Sequence, residues 1–183
     1  MDYGFGPGEN LIHLLRCGYN VSGIEVSNEA KKVTEIKLLK YPEYRGKYNL
    51  MLINEKTKAL PYPDNTFDFI LSNQTVYFLF DEKNIIELLN EFKRVLKPKG
   101  RFIISMMSRM DTGCIDGTPL GDNRYEYGTF ETDELSNRVY IVRDENHARQ
   151  LFSMFKIHEV GYFDFYYCGE CGHHWVVLGE KIK

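Results

Sequence analysis

Three glycines alternate with other residues in Asp2-Tyr3-Gly4-Phe5-Gly6-Pro7-Gly8, between the strand tail Met1–Tyr3 and the start of an apolar-faced helix. Few features constrain a fold as tightly. Glycine admits backbone conformations closed to other residues, so such a loop turns sharply and brings its amide groups close to a ligand. A helix starting directly behind it offers its positive end to the same place. A glycine-rich turn without a ligand has the same composition, so the loop needs a second signal. Glu25 supplies it, closing the next strand 17 residues beyond Gly8. In doubly wound folds an acid here accepts hydrogen bonds from ribose hydroxyls. Loop and acid together predict a nucleotide-type ligand.

The rest of the chain reads as alternating strands and helices, the pattern of a mainly parallel sheet. Glu9–Cys17 sets Leu11, Ile12, Leu14 and Leu15 at helical spacing and stops at Gly18. Asn20–Glu25 reads as a strand, Asn28–Leu39 as a helix, Tyr48–Ile53 as a strand and Phe67–Ser72 as a buried strand. Glu82–Leu96 gathers Ile85, Ile86, Leu88, Leu89, Phe92, Val95 and Leu96 on one face. Lys97-Pro98-Lys99-Gly100 ends that helix before a strand over Arg101–Met107. From about Ser108 to Tyr140 the chain is rich in Gly, Asp, Asn, Tyr and Thr, which predicts an irregular loop on the substrate side. A helix over Glu145–Phe155 follows, then strands over Lys156–Tyr167 and Trp175–Glu180 joined by Cys168–His174. The expected fold is α/β: a doubly wound, mainly parallel sheet with a C-terminal antiparallel hairpin, in a single domain over 1–183.

Composition narrows the function. The net charge of −3 comes with Lys and Arg scattered along the chain, so no basic stripe suits a phosphate backbone and no nucleic-acid partner is expected. No run of about 18 apolar residues crosses a membrane. The start lacks the basic and apolar regions of a signal peptide, and 4 cysteines do not make a disulfide scaffold, so a cytoplasmic location is expected.

Asp2-Tyr3-Gly4-Phe5-Gly6-Pro7-Gly8-Glu9-Asn10 resembles the first motif of class I S-adenosylmethionine-dependent methyltransferases, an acid followed by alternating glycines. Glu9 stands where the dinucleotide pattern G-x-G-x-x-G has its last glycine, which makes a nicotinamide dehydrogenase the weaker reading. Gly18–Ser27 is similar to that family's second strand, Leu60–Ser72 to its fourth-strand motif, and Glu91–Arg101 to the junction before its fifth strand. The likeness runs from Asp2 to about Met107. It implies S-adenosyl-L-methionine as cofactor and methyl transfer to a small-molecule acceptor. It also implies a cofactor site of Asp2, Gly4, Gly6, Gly8, Glu25, Val26, Ser72, Asn73 and Gln74, with Glu55 the nearest candidate for an adenine-contacting acid. Asp68 is expected to fix a turn. Tyr77 and Phe78 could pack near the cofactor site, but core packing is the expectation.

The chain departs from the family at its start, where only Met1 precedes the acid. A truncated first strand and N-terminal lid are therefore expected. The alternative function is a non-catalytic or partner-dependent S-adenosylmethionine-binding protein, and an uncovered sheet region would favour a homodimer. Cys168-Gly169-Glu170-Cys171-Gly172-His173-His174 offers zinc-type ligands, but four within one hairpin tip strain a tetrahedral shell. The expectation is a glycine-rich turn with no metal; Cys17 and Cys114 stand alone. No thioredoxin-like helix follows to make a redox pair. His147, His158, His173 and His174 are candidate general bases by residue type only, so no catalytic residue is assigned. Arg109, Arg124, Tyr125 and Tyr127 could contact an acidic or cyclic small molecule.

Overall fold

The computed structural model describes residues 1–54, 57, 59–126, 138–167 and 169–182. Its central sheet has seven strands: β1 (Asp2–Tyr3), β2 (Val21–Glu25), β3 (Tyr48–Leu52), β4 (Phe67–Ser72), β5 (Leu96–Met107), β9 (Lys156–Tyr167) and β10 (Glu170–Glu180). The spatial order is β3-β2-β1-β4-β5-β10-β9, parallel except that β10 runs antiparallel to both of its neighbours. Strand order reverses between β1 and β4, and a crevice opens at the carboxyl ends of such strands.

Helices α1 (Glu9–Arg16), α2 (Asn28–Leu38) and α3 (Glu82–Val95) follow the predicted spans closely. α3 buries Ile85, Leu88, Leu89, Phe92 and Val95 along one stripe, each worth about 1.5–3 kcal/mol of apolar burial. Asp81 caps it by accepting from the Lys83 N–H. Arg94 on α3 explains the two later motifs physically. Its guanidinium donates to the carbonyls of Leu60 and Tyr62 and pairs with Asp64 and Glu91, while Glu91 accepts the Leu60 N–H. The loop entering β4 is thus pinned to the helix leaving it. Asp68 is exposed and pairs with Lys97 at 2.7 Å, which ties the entrances of β4 and β5.

Three expectations are corrected. The stretch from Ser108 to Tyr140 is not wholly irregular: it carries a helical turn α4 (Thr112–Ile115) and a three-stranded sheet of β6 (Thr118–Gly121), β7 (Arg124–Glu126) and β8 (Arg138–Tyr140). The β6–β7 turn uses Asp122 and Asn123 at φ 50° and 60°, left-handed values that these two side chains tolerate without a glycine. The second correction is the last helix, α5, which spans Glu145–Leu151 rather than reaching Phe155. Phe152 and Phe155 lie beyond it, packed against Phe102. The third is β10, which begins at Glu170 rather than Trp175, because pairing with β9 continues through Cys171–His174. Among the described residues, no helix is long and apolar enough to cross a membrane.

Candidate functional site

The glycine loop leaves β1 at Tyr3 and delivers Gly8, at φ 89°, as the N-cap of α1. Gly4 (φ 72°) lies so close to Thr75 that a Cβ would sit 2.2 Å from its side chain, so only glycine fits. Gly6 faces the other way, and nothing lies within 4 Å of where its Cβ would be. The loop therefore has one packed side and one open side. α2 braces it from behind: the Thr34 hydroxyl donates to the Gly6 carbonyl at 2.9 Å, and Lys37 donates to the Pro7 carbonyl and pairs with Glu9. Thr34, Lys37 and Thr75 escaped the sequence reading. The i, i+3 spacing of the first two on one helix was the available signal.

Glu25 stands directly against the bend. Its Oε2 accepts the Gly6 N–H at 2.8 Å, and its Oε1 accepts from Val26 and Ser27 at 2.7 and 3.1 Å. Those three bonds fix the carboxylate's direction and leave lone pairs for further donors. The Val26 side chain is about half exposed beside it.

Asp2 behaves differently. It is 1% exposed, and neither carboxylate oxygen has a hydrogen-bond partner. Burial, with Glu25's charge adding to it, pushes its pKa from 3.8 to about 7 against the pull of the chain's terminal amine. An unpaired carboxyl group buried beside a nucleotide-type loop calls for a cationic or hydrogen-bond-donating ligand.

On the far side of the switch point, Ser72 is buried with its hydroxyl donating to the Tyr3 carbonyl at 3.0 Å, so it ties β4 to β1 beneath the rim. Asn73 and Gln74 form the rim. The Gln74 N–H donates to Ser105 Oγ at 2.7 Å, and that hydroxyl donates on to Asn73 Oδ1 at 3.0 Å. Gln74 is exposed at φ 55°. Tyr77, in the following 3₁₀ turn Val76–Leu79, is buried, whereas Phe78 is about half exposed, contrary to a core role for both. Glu55, Tyr127 and Cys168 lie outside the described residues. The structure thus places Asp2, Gly4, Gly6, Gly8, Glu25 and Val26 at the adjoining ends of β1 and β2, and Ser72, Asn73 and Gln74 at the end of the neighbouring β4.

The histidines separate by surroundings. His158 pairs with Glu180, and His173 Nδ1 meets Asp164. His147 Nδ1 accepts the Arg143 N–H at 3.2 Å, which leaves its Nε2–H to donate to the Tyr140 oxygen at 3.1 Å; Tyr140 in turn donates to Glu82. That ring also lines a cavity of about 430 Å³ with Glu82 and Gln150. His174 is 2% exposed, neither ring nitrogen has a hydrogen-bond partner, and burial followed by His173's charge lowers its pKa to about 4. It lies opposite Met107 at the carboxyl end of β5, near Tyr77. Cys171 and His173 share one face of β10 and His174 the other, so these three do not converge on one metal. Among the described residues, no group of three His, Cys, Asp or Glu side chains could hold one.

Sheet order, switch point, one-sided glycine loop and adjacent carboxylates define a doubly wound α/β protein of the nucleoside-binding kind. Comparison with known proteins narrows this. Residues 1–104 match the family model described as a methyltransferase domain, and the chain belongs to that family. It is 31% identical over 108 residues to the demethylmenaquinone methyltransferase of Tropheryma whipplei, covering 59% of this chain and 41% of that protein. The chain spans 36–41% of the length of such curated relatives. Among solved structures it resembles a SAM-dependent methyltransferase from Methanosarcina mazei, with a TM-score of 0.82 at 20% identity over 99% of this chain and 91% of that one. It also resembles the Burkholderia thailandensis 1,6-didemethyltoxoflavin-N1-methyltransferase, solved with S-adenosylhomocysteine: TM-score 0.74, 17% identity, over 100% of this chain and 70% of that one. The fold is the class I methyltransferase fold, and the cofactor of this family and its neighbours is S-adenosylmethionine.

Proposed function

We propose that this chain acts as one cytoplasmic domain that transfers a methyl group from S-adenosylmethionine to a small-molecule acceptor. The observation that carries the reading is Asp2: a buried carboxyl group with no partner, one strand from the Glu25 clamp. Its natural complement is the cofactor's ammonium group, which would supply the missing donors and charge. Glu25 would accept the ribose hydroxyls with the lone pairs its three backbone bonds leave open. Gly6 lets the backbone approach, Val26 offers apolar surface to the adenine side, and Asn73 and Gln74 border the methionine side.

When bound, S-adenosylmethionine supplies a methyl group activated by its sulfonium. The protein's own task is to hold the acceptor in line and exclude water, and orientation alone lowers such barriers by about 7–11 kcal/mol in favourable cases. An acceptor hydroxyl or protonated amine also needs a base. Among the four candidate histidines, His174 is the one with both ring nitrogens lacking hydrogen-bond partners, opposite Met107 at the carboxyl end of β5.

The test is to incubate the full chain with methyl-labelled S-adenosylmethionine and panels of hydroxyl, amine and ring-carbon acceptors, following label transfer and S-adenosylhomocysteine release. Transfer that disappears in Glu25→Gln supports the proposal. Tight cofactor binding with no transfer to any acceptor would favour the non-catalytic, partner-dependent reading.

A further inference from the structure

We infer that a small cavity lined by Arg109, Arg124 and Arg143 binds an anion, and that it takes the carboxylate or phosphate group of the methyl acceptor. The acceptor assignment rests on the methyl-transfer proposal; the anion site does not.

Three separate parts of the chain bring these arginines together: the exit of β5, strand β7, and the link from β8 to α5. The cavity measures about 130 Å³, well above the ~10–15 Å³ that one water needs. None of its lining residues is acidic. Three arginines and no acid in the lining give the cavity one sign of charge, which an anion among them would offset.

The three differ in how they are held. The Arg124 guanidinium donates to the Gly121 carbonyl at 3.3 Å, pairs with Asp122 outside the cavity at 3.3 Å, and lies over the Phe80 ring at 5.5 Å. Arg109 and Arg143 are exposed and have no ion-pair partner among the described residues. The backbone of Arg143 is nevertheless fixed, because its N–H donates to His147 Nδ1. The turn forming one wall holds Gly121, Asp122 and Asn123 at φ 84°, 50° and 60°. One guanidinium is therefore pre-placed and two are free to close on a ligand, on a rigid frame.

Position links the cavity to the crevice. Ser105, which holds Gln74 at the rim, precedes Arg109 by four residues, a span of about 13 Å in extended chain. Phe80, beneath Arg124, follows the 3₁₀ turn that begins at that rim. A small molecule with its anionic end among the arginines can thus reach the crevice.

The experiment is calorimetric titration of the full chain at low ionic strength with inorganic phosphate and with succinate, with and without S-adenosylhomocysteine. One saturable site is expected for each probe, weakened about tenfold or more in the double variant Arg109→Gln/Arg143→Gln and restored in part by Lys at both positions. Both residues are exposed, so an unchanged melting temperature confirms the fold of the variants. S-adenosylhomocysteine affinity should change by less than about twofold in the variants, because no residue lining the cavity belongs to the proposed cofactor site. Absence of saturation, or a double variant that binds like the parent, overturns the site. Competition between S-adenosylhomocysteine and phosphate overturns the acceptor assignment, since the cavity would then hold the cofactor. If the parent chain fails to bind S-adenosylhomocysteine, the methyltransferase reading falls, while the phosphate titration still decides the anion site.

Discussion

The region built by β1, β2 and β4, proposed above as the donor half, and the region beyond β5, proposed as the acceptor half, treat their polar groups differently. In the donor half nearly every group at the bend is matched within the fold: Glu25 holds three N–H groups, Thr34 and Lys37 hold two loop carbonyls, and Ser72 holds a third carbonyl. The exception is Asp2, buried and unmatched. In the acceptor half the Arg109, Arg143 and His174 side chains have no hydrogen-bond partner among the described residues, whereas His147 is enclosed in a chain of such bonds. A preorganised frame with one open carboxyl group suits a ligand of fixed shape. A loosely paired surface on a separate small sheet suits a ligand that varies between relatives.

The sharpest way to break this contrast is at Gly4. Gly4→Ala drives a Cβ into Thr75 at a left-handed position, costing about 2–5 kcal/mol of stability and at least about a hundredfold in S-adenosylhomocysteine affinity. Denaturant unfolding and calorimetry read both. Glu25→Gln should fold well yet weaken S-adenosylhomocysteine by about tenfold to a hundredfold, the loss of charge-assisted bonds worth about 1.5–3 kcal/mol. Unchanged affinity in that variant would place the ribose elsewhere.

Asp2 sharpens the comparison through pH. Burial raises its pKa to about 7, so the folded state prefers the neutral acid. Its contribution to stability is most favourable below about pH 4 and is lost as pH climbs through 7. Asp2→Asn should therefore stabilise the ligand-free protein by a few kcal/mol at pH 8 and hardly at all at pH 4, while weakening cofactor binding at both. Equal melting temperatures for parent and variant across that range would show that the carboxyl group is not confined as described.

A smaller effect belongs to His147. Burial, with Arg143's charge, lowers its pKa below the ordinary 6.5. Its neutral ring therefore supports the fold above about pH 6.5, and that support fades as pH falls below it. His147→Gln should cost about 1–2 kcal/mol at pH 8 and flatten the acid-side slope of melting temperature. The smallest change is Asp68→Ala, which removes an exposed pair with Lys97 and should shift stability by less than about 1 kcal/mol.

The same contrast decided what could be read in advance. Periodicity located β4 to the residue and α1, α2 and α3 to within a residue or two, because each buries a stripe with regular spacing. The glycine loop and Glu25 were visible as local signals. β9 was likewise located to the residue, but the small sheet between Ser108 and Tyr140 was not, since β7 and β8 pair across a long gap. At the hairpin tip, sequence adjacency alone hides the alternation that sends His173 and His174 to opposite faces. Nor could spacing reveal that Asp2 is buried without a partner, a fact set by tertiary packing alone.

The central claim is that the bend between Gly4 and Gly8, with Glu25 and Asp2, holds the methyl donor. Calorimetric titration of the full chain with S-adenosylhomocysteine tests it most directly. The account predicts one ligand per chain at about micromolar affinity. No binding heat at millimolar ligand would contradict it.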